Sequence, residues 1–589
     1  MTGRGAPAKR RVRVSRVLAC GLSIGSACAS TAWSQIRLYQ ISGEENDLRL
    51  GATVAAAGDI DLDGVPDFVV GSAPWLSSHY GQVQLVSGRT GTILRTLGSN
   101  EPDDGFGRSA KVVGDLDGDG VPDVVVGAPT ADAHGGSSQD GLVRAFSCRT
   151  GALLWVARAP DFGISGFGLE LAGVGDMDGD GIADVAVGTC IERLSGFYVT
   201  AAVRVLSGRD GSLVRVLLSC TCAGGAGGFG LSIAGPGDVD GDGTPDVLVG
   251  APLDWWNGAE RGSAYLFSGR TGTILRMLRG PSPGSRLGTV AALGDVDHDG
   301  WPDYAIGAAR DPANGAGAGS VTVYSGVDGS VLRVLYGNAG DEFGGFLAGG
   351  GSLSGGGDVD GDGYPDLAVG AVGTLIAGFS SGDVRVFSLR SGAILAEIPA
   401  QAAYESVGPC AFIGDVNGDG SDDLVVGAPA ADDGGADAGS ARAYLLGHDP
   451  PISYCIWKWN SQNCASTPAC DGAPSLAVGN GLLLRAGGVL NHRPGYLVWG
   501  LARAHDPFGG GSLCVQPLDR GPLQDAGGTP PPITDCTGVL TFRFTANYLA
   551  THGLGVGTRV FCQFLSRDDG FAPPNNIGLS DGLAFTVIP

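Results

Sequence analysis

The sequence predicts an all-β fold: a seven-bladed β-propeller of four-stranded blades, closed by an N-terminal strand, plus a small C-terminal β-sandwich-like domain. Three observations predict it. An aspartate-rich nonapeptide recurs seven times, at intervals of 56, 61, 62, 57, 63 and 57 residues. Four short apolar bursts fall in each interval, and strands of about five residues plus their turns fill that length. The last repeat lacks a fourth strand, whereas a spare strand precedes the first repeat.

The nonapeptides are DIDLDGVPD (59–67), DLDGDGVPD (115–123), DMDGDGIAD (176–184), DVDGDGTPD (238–246), DVDHDGWPD (295–303), DVDGDGYPD (358–366) and DVNGDGSDD (415–423). A fixed period of this kind means one supersecondary unit per repeat. In repeat two the bursts at 109–113, 124–127, 142–146 and 153–156 read as strands one to four. Small residues crowd the first strand, as at 55–58 and 355–357, where backbones must approach around an axis. Larger ones such as Val384, Val386 and Phe387 fill the widening outer strands. This places the 105 glycines in a packed fold that is 43% hydrophobic, excluding collagen and a disordered tract.

The closing strand follows from a match. Segment 36–41 followed by SGEENDLRLG resembles 93–97 followed by GSNEPDDGFG, while the third strand of the last repeat (441–446) runs into His448, Asp449, Pro450 and Pro451. Pairing of 36–41 with 441–446 would close the ring and remove its exposed edges. The two prolines mark the exit. Beyond them the Asp repeat ends, six cysteines appear, and alternating runs VLTFRF (539–544), RVFCQF (559–564) and LAFTVI (583–588) suit a small β-sandwich. The expected division is therefore a leader at 1–34, a propeller at 35–449 and a Cys-containing β-rich domain at 450–589.

The leader carries Arg4, Lys9, Arg10, Arg11, Arg13 and Arg16, then an apolar run at 17–29 and small residues. That is the pattern of a secretory signal peptide, cleaved after Ala29 or Ala32, and its apolar run is too short to span a bilayer. The mature chain is expected outside the cell or at its surface, without a membrane span and as a monomer. Removal of six cations moves the net charge from −24 to −30, which excludes nucleic acid as a partner for want of a basic footprint. An oxidising compartment favours disulfide bonds, foremost among the six cysteines from Cys455 to Cys562, with the pairing open.

Each nonapeptide sets oxygen ligands at its first, third, fifth and ninth positions. They are Asp59, Asp61, Asp63 and Asp67; Asp115, Asp117, Asp119 and Asp123; Asp176, Asp178, Asp180 and Asp184; and Asp238, Asp240, Asp242 and Asp246. The last three loops give Asp295, Asp297, Asp299 and Asp303; Asp358, Asp360, Asp362 and Asp366; and Asp415, Asn417, Asp419 and Asp423. Alternate side chains of a tight turn converge, a Gly at the sixth position takes the bend, and so dense an oxygen set suits Ca²⁺. The seventh carbonyl is a natural extra ligand, and Pro at the eighth position of five loops would hold it in place. Asp and Gly are also ordinary turn formers. Seven loops in register nevertheless point to as many as seven Ca²⁺, with the Asn417 loop the weakest. Seven such ions would move −30 to about −16. An EF-hand is excluded, because Val70, Val126, Val187, Val249, Ile306, Val369 and Val426 stand where it needs a bidentate Glu.

Phe106-Gly107, Phe167-Gly168, Phe229-Gly230 and Phe343-Gly344 precede the Asp loops, and Gly127-Ala128-Pro129, Gly250-Ala251-Pro252 and Gly427-Ala428-Pro429 follow them. Residues 36–447 thus resemble the FG-GAP repeat family, whose best known members are the integrin α-subunit propellers. The resemblance implies seven blades with calcium between first and second strands. Leu287-Gly288 and Val407-Gly408 depart from Phe-Gly, and Gly188-Thr189-Cys190 and Gly307-Ala308-Ala309 from Gly-Ala-Pro. No integrin leg or cytoplasmic tail follows in the sequence, so integrin signalling is not implied. The C-terminal region more loosely resembles domains that close other secreted, repeat-rich bacterial proteins.

The expected function is extracellular adhesion or binding without catalysis, the partner being a protein or glycan on the face opposite the metal loops. Trp75, Tyr80, Trp255 and Trp256 fall in connections on that face, either as anchors or as covers of loop cores; Cys190 with Cys220 or Cys222 would make a disulfide there. A calcium-dependent polysaccharide lyase and a purely structural matrix protein are the alternatives. Against an enzyme, the chain has seven histidines and no HExxH, and His79 and His134 are isolated.

Overall fold

Each repeat forms one four-stranded antiparallel sheet in the computed structural model of the chain, and there are seven such sheets among the described residues. Those residues are 36–446, apart from 75–78, 134–139, 160–165, 190–191, 195–197, 201, 220–226, 257, 346–351, 377–378 and 418–419. Of the remainder, 452–453, 467–471, 481–501, 503–508, 511–516, 518–527, 535, 537–555, 558–568 and 577–587 are described. The expected leader at 1–34, Trp75, His134, Cys190, Cys220 and Cys222 lie outside them. The chain divides into two compact units, the first running from Arg37 to Leu446 without 417–420 and the second holding Gly447–Pro589.

Blade one comprises Leu50–Gly58, Asp67–Ser72, Tyr80–Val86 and Ile93–Pro102, paired in that order. Blade two repeats the pattern with Ala110–Gly114, Asp123–Ala128, Leu142–Phe146 and Leu153–Arg158, close to the expected bursts. In blade seven, Cys410–Gly414, Asp423–Ala428 and Ser440–Leu445 are joined by Ile36–Ser42 as the fourth strand. The seven first strands touch one another in a circuit that leads from blade one through to blade seven and back to blade one. Every first strand also ends on a β-bulge at the residue before the Asp loop, as at Gly58, Gly114, Gly175 and Gly414. Those four have φ of 65°, 126°, 74° and 80°, the conformation a bulge glycine supplies without steric cost.

Burial explains the sequence pattern. Second strands such as DVVVGA (123–128) are buried at every residue because each sheet is covered on both faces, so they read as continuous apolar runs. Fourth strands such as LLWVAR (153–158) alternate, since their outer edge meets solvent. The Phe-Gly phenylalanines Phe106, Phe167, Phe229 and Phe343 are at most 1% exposed.

Glycine at the Gly-Ala-Pro position answers to close approach. A Cβ on Gly71, Gly127, Gly188, Gly250, Gly307, Gly370 or Gly427 would overlap the carbonyl oxygen of Gly107, Gly168, Gly230, Gly288, Gly344, Gly408 or Gly51 of the next blade. The departures from Phe-Gly and Gly-Ala-Pro therefore change the neighbours and keep the glycines.

A second set of contacts latches the outer rim. In blades one to five a residue on the fourth strand reaches the turn between strands three and four of the next blade. Arg95 donates to Arg149 O at 2.6 Å, Trp155 to Gly208 O at 2.8 Å, and Arg215 to Arg270 O at 2.9 Å. Arg276 donates to Gly326 O at 2.6 Å and Arg333 to Arg390 O at 2.8 Å.

The second unit contains a sheet ordered Ile452–Ser453, Ile577–Thr586, Arg559–Arg567, Pro494–Gly500 and Asp519–Arg520, with Gln524–Asp525 also on Pro494–Gly500. A three-stranded sheet of Thr467–Asp471, Leu482–Val489 and Gly538–Phe544 shares its core, where Leu484, Leu540 and Phe544 meet Leu497, Trp499 and Phe564. Helix Ala546–Thr551, absent from the sequence-based expectation, is capped by Thr545, whose side chain accepts from Tyr548 N. Cys562 is a buried free thiol in the apolar core, where burial pushes its pKa up. Cys148 and Cys410 are likewise free and buried.

Candidate metal centres

The Asp loops join first to second strands, and the ninth-position Asp opens the second strand. Asp67, Asp123, Asp184, Asp246, Asp303, Asp366 and Asp423 are all 0% exposed. One oxygen of each accepts the backbone N–H of the loop's second residue, as from Ile60 to Asp67 at 2.8 Å and from Val416 to Asp423 at 3.1 Å. The other accepts from a residue just past strand three: Gly88, Cys148, Gly208, Gly269, Gly326 or Leu446, at 2.9 to 3.1 Å. Asp366 is the exception, its buried Oδ1 having no hydrogen-bond partner.

Upstream positions shape the turn. Asp59 accepts from Asp63 N at 3.0 Å and Gly64 N at 2.8 Å, Asp61 from Asp63 N at 3.1 Å, and Asp63 from Val65 N at 2.9 Å. The same pattern recurs down to Asp358, Asp360 and Asp362. Alternate carboxylates are thereby turned to one side.

Oxygens of Asp59, Asp61 and Asp67 lie within 4.8 Å of one another, as do those of Asp115, Asp117 and Asp123, of Asp176, Asp178 and Asp184, and of Asp238, Asp240 and Asp246. In loop five the converging set is Asp295, Asp297 and Asp299. Each cluster is able to hold a metal ion. The residues fit a hard dication: ligand atoms are all oxygen, a buried oxygen at Asp366 is orphaned, and carboxylates outnumber the cations beside them. That last point shows in the pKa values. Burial, against opposing backbone hydrogen bonds and reinforced by neighbouring aspartates, pushes Asp67, Asp123, Asp184 and Asp246 up to about 6 and Asp366 up to about 8. In loop seven Asp419 lies outside the described residues.

The eighth-position Pro has a further role. Pro66, Pro122, Pro245 and Pro302 sit over the bulge glycines Gly414, Gly58, Gly175 and Gly237 of the preceding blade, tying each loop to its neighbour. Where loop seven has Asp422 instead, its Oδ2 accepts from Asp358 N at 2.9 Å and its own N donates to Asp358 O at 3.0 Å.

Sequence reasoning missed a cationic cap. Arg89 donates through Nε to Asp63 Oδ2 at 2.9 Å and to Asp63 O at 2.7 Å, and Arg209 treats Asp180 the same way at 2.5 and 2.9 Å. Arg149 and Arg270 donate to the carbonyls of Asp119 and Asp242, and Arg390 lies 3.9 Å from Asp362 Oδ2. The bond to Arg209 holds the Asp180 carboxyl below the usual range. The signal was present as the five-residue S-x-R-x-G turn at 87–91, 147–151, 207–211, 268–272 and 388–392.

Away from the loops, Trp255 and Tyr80 are exposed, Trp256 lies under Arg279 at 3.4 Å, and His79 faces Glu45 at 3.5 Å. No helix among the described residues is long and apolar enough to cross a membrane.

Comparison with known proteins agrees with this geometry. Residues 106–146 and 412–444 match the FG-GAP repeat, and 238–306 and 357–426 an FG-GAP-like repeat. The chain is 36% identical to integrin alpha-5 of Xenopus laevis over 231 residues, which is 37% of this chain and 21% of that protein. It is 31% identical to integrin alpha-V of Gallus gallus, over 41% of this chain and 23% of that one. For integrin alpha-7 of Homo sapiens the figures are 41% identity, 25% and 13%. The match thus spans less than a quarter of each relative's length. With its matched repeats, its seven sheets and its aspartate loops, the chain carries FG-GAP repeats and a β-propeller of the integrin-α type.

Proposed function

We propose that this protein is a secreted, calcium-loaded propeller that acts as a non-catalytic adhesion or binding module outside the cell. The observation that carries the reading is the convergence of three carboxylates in one loop after another around the ring. Empty, each set repels itself; filled, it ties the first strand to the second and so to the blade. The proposed ligands are the first, third, fifth and ninth residues of all seven loops, from Asp59 to Asp423, with up to seven Ca²⁺.

Antiparallel order puts the loops between strands one and two, and the capping turns between strands three and four, on one face. The connections between strands two and three emerge on the other. A rigid scaffold that presents variable connections is a usual seat for recognition, and this face is where a protein or glycan partner would dock. The integrin names of the relatives support an adhesive role. Export through a leader at 1–34, a division at 35–449 and 450–589, and a monomeric state complete the reading.

The test is an array of extracellular proteins and glycans probed with the purified chain in calcium or in EDTA. Selective retention in calcium without turnover supports the proposal. Release of unsaturated sugars would establish a lyase instead, and no selective retention a structural matrix protein. In parallel, calcium should raise the melting temperature, since each site held at about 100 times its Kd adds about 2.7 kcal/mol to the folded state.

A further inference from the structure

Two tryptophans of blade four stand on opposite sides of one short hairpin. Between that blade's second strand, Asp246–Ala251, and its third, Ser263–Phe267, the chain folds back so that Trp255–Trp256 pairs with Ala259–Glu260. Successive strand residues point to opposite faces, which sends the two indoles apart. Trp255 is 53% exposed. Trp256 lies under Arg279, the last residue of the fourth strand Ile274–Arg279, with the guanidinium carbon 3.4 Å from the ring centre.

The hairpin is braced from below. Arg261 N and Gly262 N donate to Asp254 O at 3.0 and 3.1 Å, and Leu287 N donates to Arg261 O at 3.0 Å. The Asp254 carboxylate accepts from Ser263 Oγ at 2.7 Å and from Tyr265 Oη at 3.0 Å. Both rings are therefore held on a fixed backbone, which lowers the ordering cost to anything that binds them.

Charge is an independent observation. The hairpin's own acids are answered, Asp254 by those two hydroxyls and Glu260 by Arg286 Nε at 2.7 Å. The arginines beside them are in excess. Among the described residues Arg279 has no carboxylate partner, and Arg261 meets the carbonyls of Gly280 and Pro281 at 3.5 and 3.2 Å. A chain of net charge −24 thus keeps a cationic spot on the face opposite its aspartate loops. At 3.4 Å the Arg279 guanidinium is stacked flat on the indole, which leaves its N–H groups along the edge as a fork that matches a carboxylate.

We propose that this hairpin binds an acidic glycan laid across it, one sugar ring resting on Trp255 and the carboxylate of a neighbouring uronate held by Arg279. The proposal rests on the binding-module reading above and gives it a place and a ligand class. A sugar ring offers the indole a flat C–H face and the guanidinium an anion. A peptide would bring main-chain groups that a strand of two residues has no edge to receive.

The test is calorimetric titration of the full chain, loaded with calcium, with three probes. They are the hyaluronan tetrasaccharide, the chitin tetrasaccharide, which shares its N-acetyl sugars and lacks its carboxylates, and tetraglutamate. Hyaluronan should bind, quench tryptophan fluorescence and weaken as salt is added, while the other two should not bind. Trp255→Ala and Arg279→Gln should each weaken hyaluronan binding about tenfold, and both should melt like the parent because the two side chains are exposed. Equal binding of the chitin probe, equal binding of tetraglutamate, no binding of hyaluronan, or an affinity that either variant leaves unmoved overturns this inference. Each of those results leaves the calcium-dependent array standing. A chain that retains nothing selectively in that array overturns the binding-module reading itself.

Discussion

Tyr39, on the N-terminal strand, donates its hydroxyl to the carbonyl of Arg89 in blade one. Its ring lies where a Cβ on Gly91 would fall, as Arg95 lies against Gly151 and Trp155 against Gly211. Tyr39 thus stands in blade seven where those residues stand in blades one and two, and the strand Ile36–Ser42 is a blade member in its contacts as well as its pairing. Deletion of 36–41 is expected to lower the melting temperature sharply, and Tyr39→Ala to cost about 3 kcal/mol as a buried aromatic truncated. Denaturant melts check both. A deletion that melts like the parent would sink the closure.

Acid should favour the metal-free fold. The carboxyls of Asp67, Asp123, Asp184, Asp246 and Asp366 are raised by burial, so the stability they contribute is full below the unfolded carboxyl range and is lost as pH rises through about 6 and, for Asp366, about 8. In EDTA the melting temperature should therefore fall between pH 5 and pH 8. In saturating calcium the trend should flatten or reverse, because the ion takes the deprotonated form. Scanning calorimetry at three pH values in each condition decides it, and a metal-free melt that climbs with pH would refute the account.

Arg442 pairs with both oxygens of Glu405 at 2.8 Å, its side chain 2% exposed and the glutamate's 5%. Removal of one partner from such a pair leaves a buried charge. Arg442→Leu should cost about 3 to 5 kcal/mol, and adding Glu405→Leu should recover most of it. A double-mutant cycle in urea measures the coupling, and additive losses would count against it.

Gly127→Ala should cost about 1 to 3 kcal/mol, since its methyl group meets Gly168 O of the next blade. Gly118→Ala, which meets no atom within 4 Å but needs φ of 79°, should cost less and show no effect on the interface. Equal losses in thermal melts would show that backbone strain, and not the close approach, sets the requirement.

Much of this was legible in the sequence because a sevenfold repeat averages away local ambiguity. The positions of the strands in blade two, the donor strand at 36–41 and the spacing of Asp59, Asp61, Asp63 and Asp67 all followed from pattern alone. What stayed hidden depends on contacts between blades. The eighth-position Pro looked like a device for its own loop, and only the fold shows Pro122 over Gly58 of the blade before. Sequence reasoning passed over Arg89, whose turn only the fold places beside Asp63. Helix Ala546–Thr551 was missed because six residues are too few for a period to register.

The seam has a consequence for how the chain is made. Gln40 meets Asp433 across 393 residues, so the strand synthesised first is the strand used last. Until Ser440–Leu445 has emerged, Ile36–Ser42 waits as an unpaired edge, and the growing array of blades stays open at both ends. A ribosome that stalls anywhere in the last blade releases a chain with seven aspartate loops, or nearly so, and no ring. Such fragments would recruit the missing strand from one another, joining chains head to tail in place of closing on themselves.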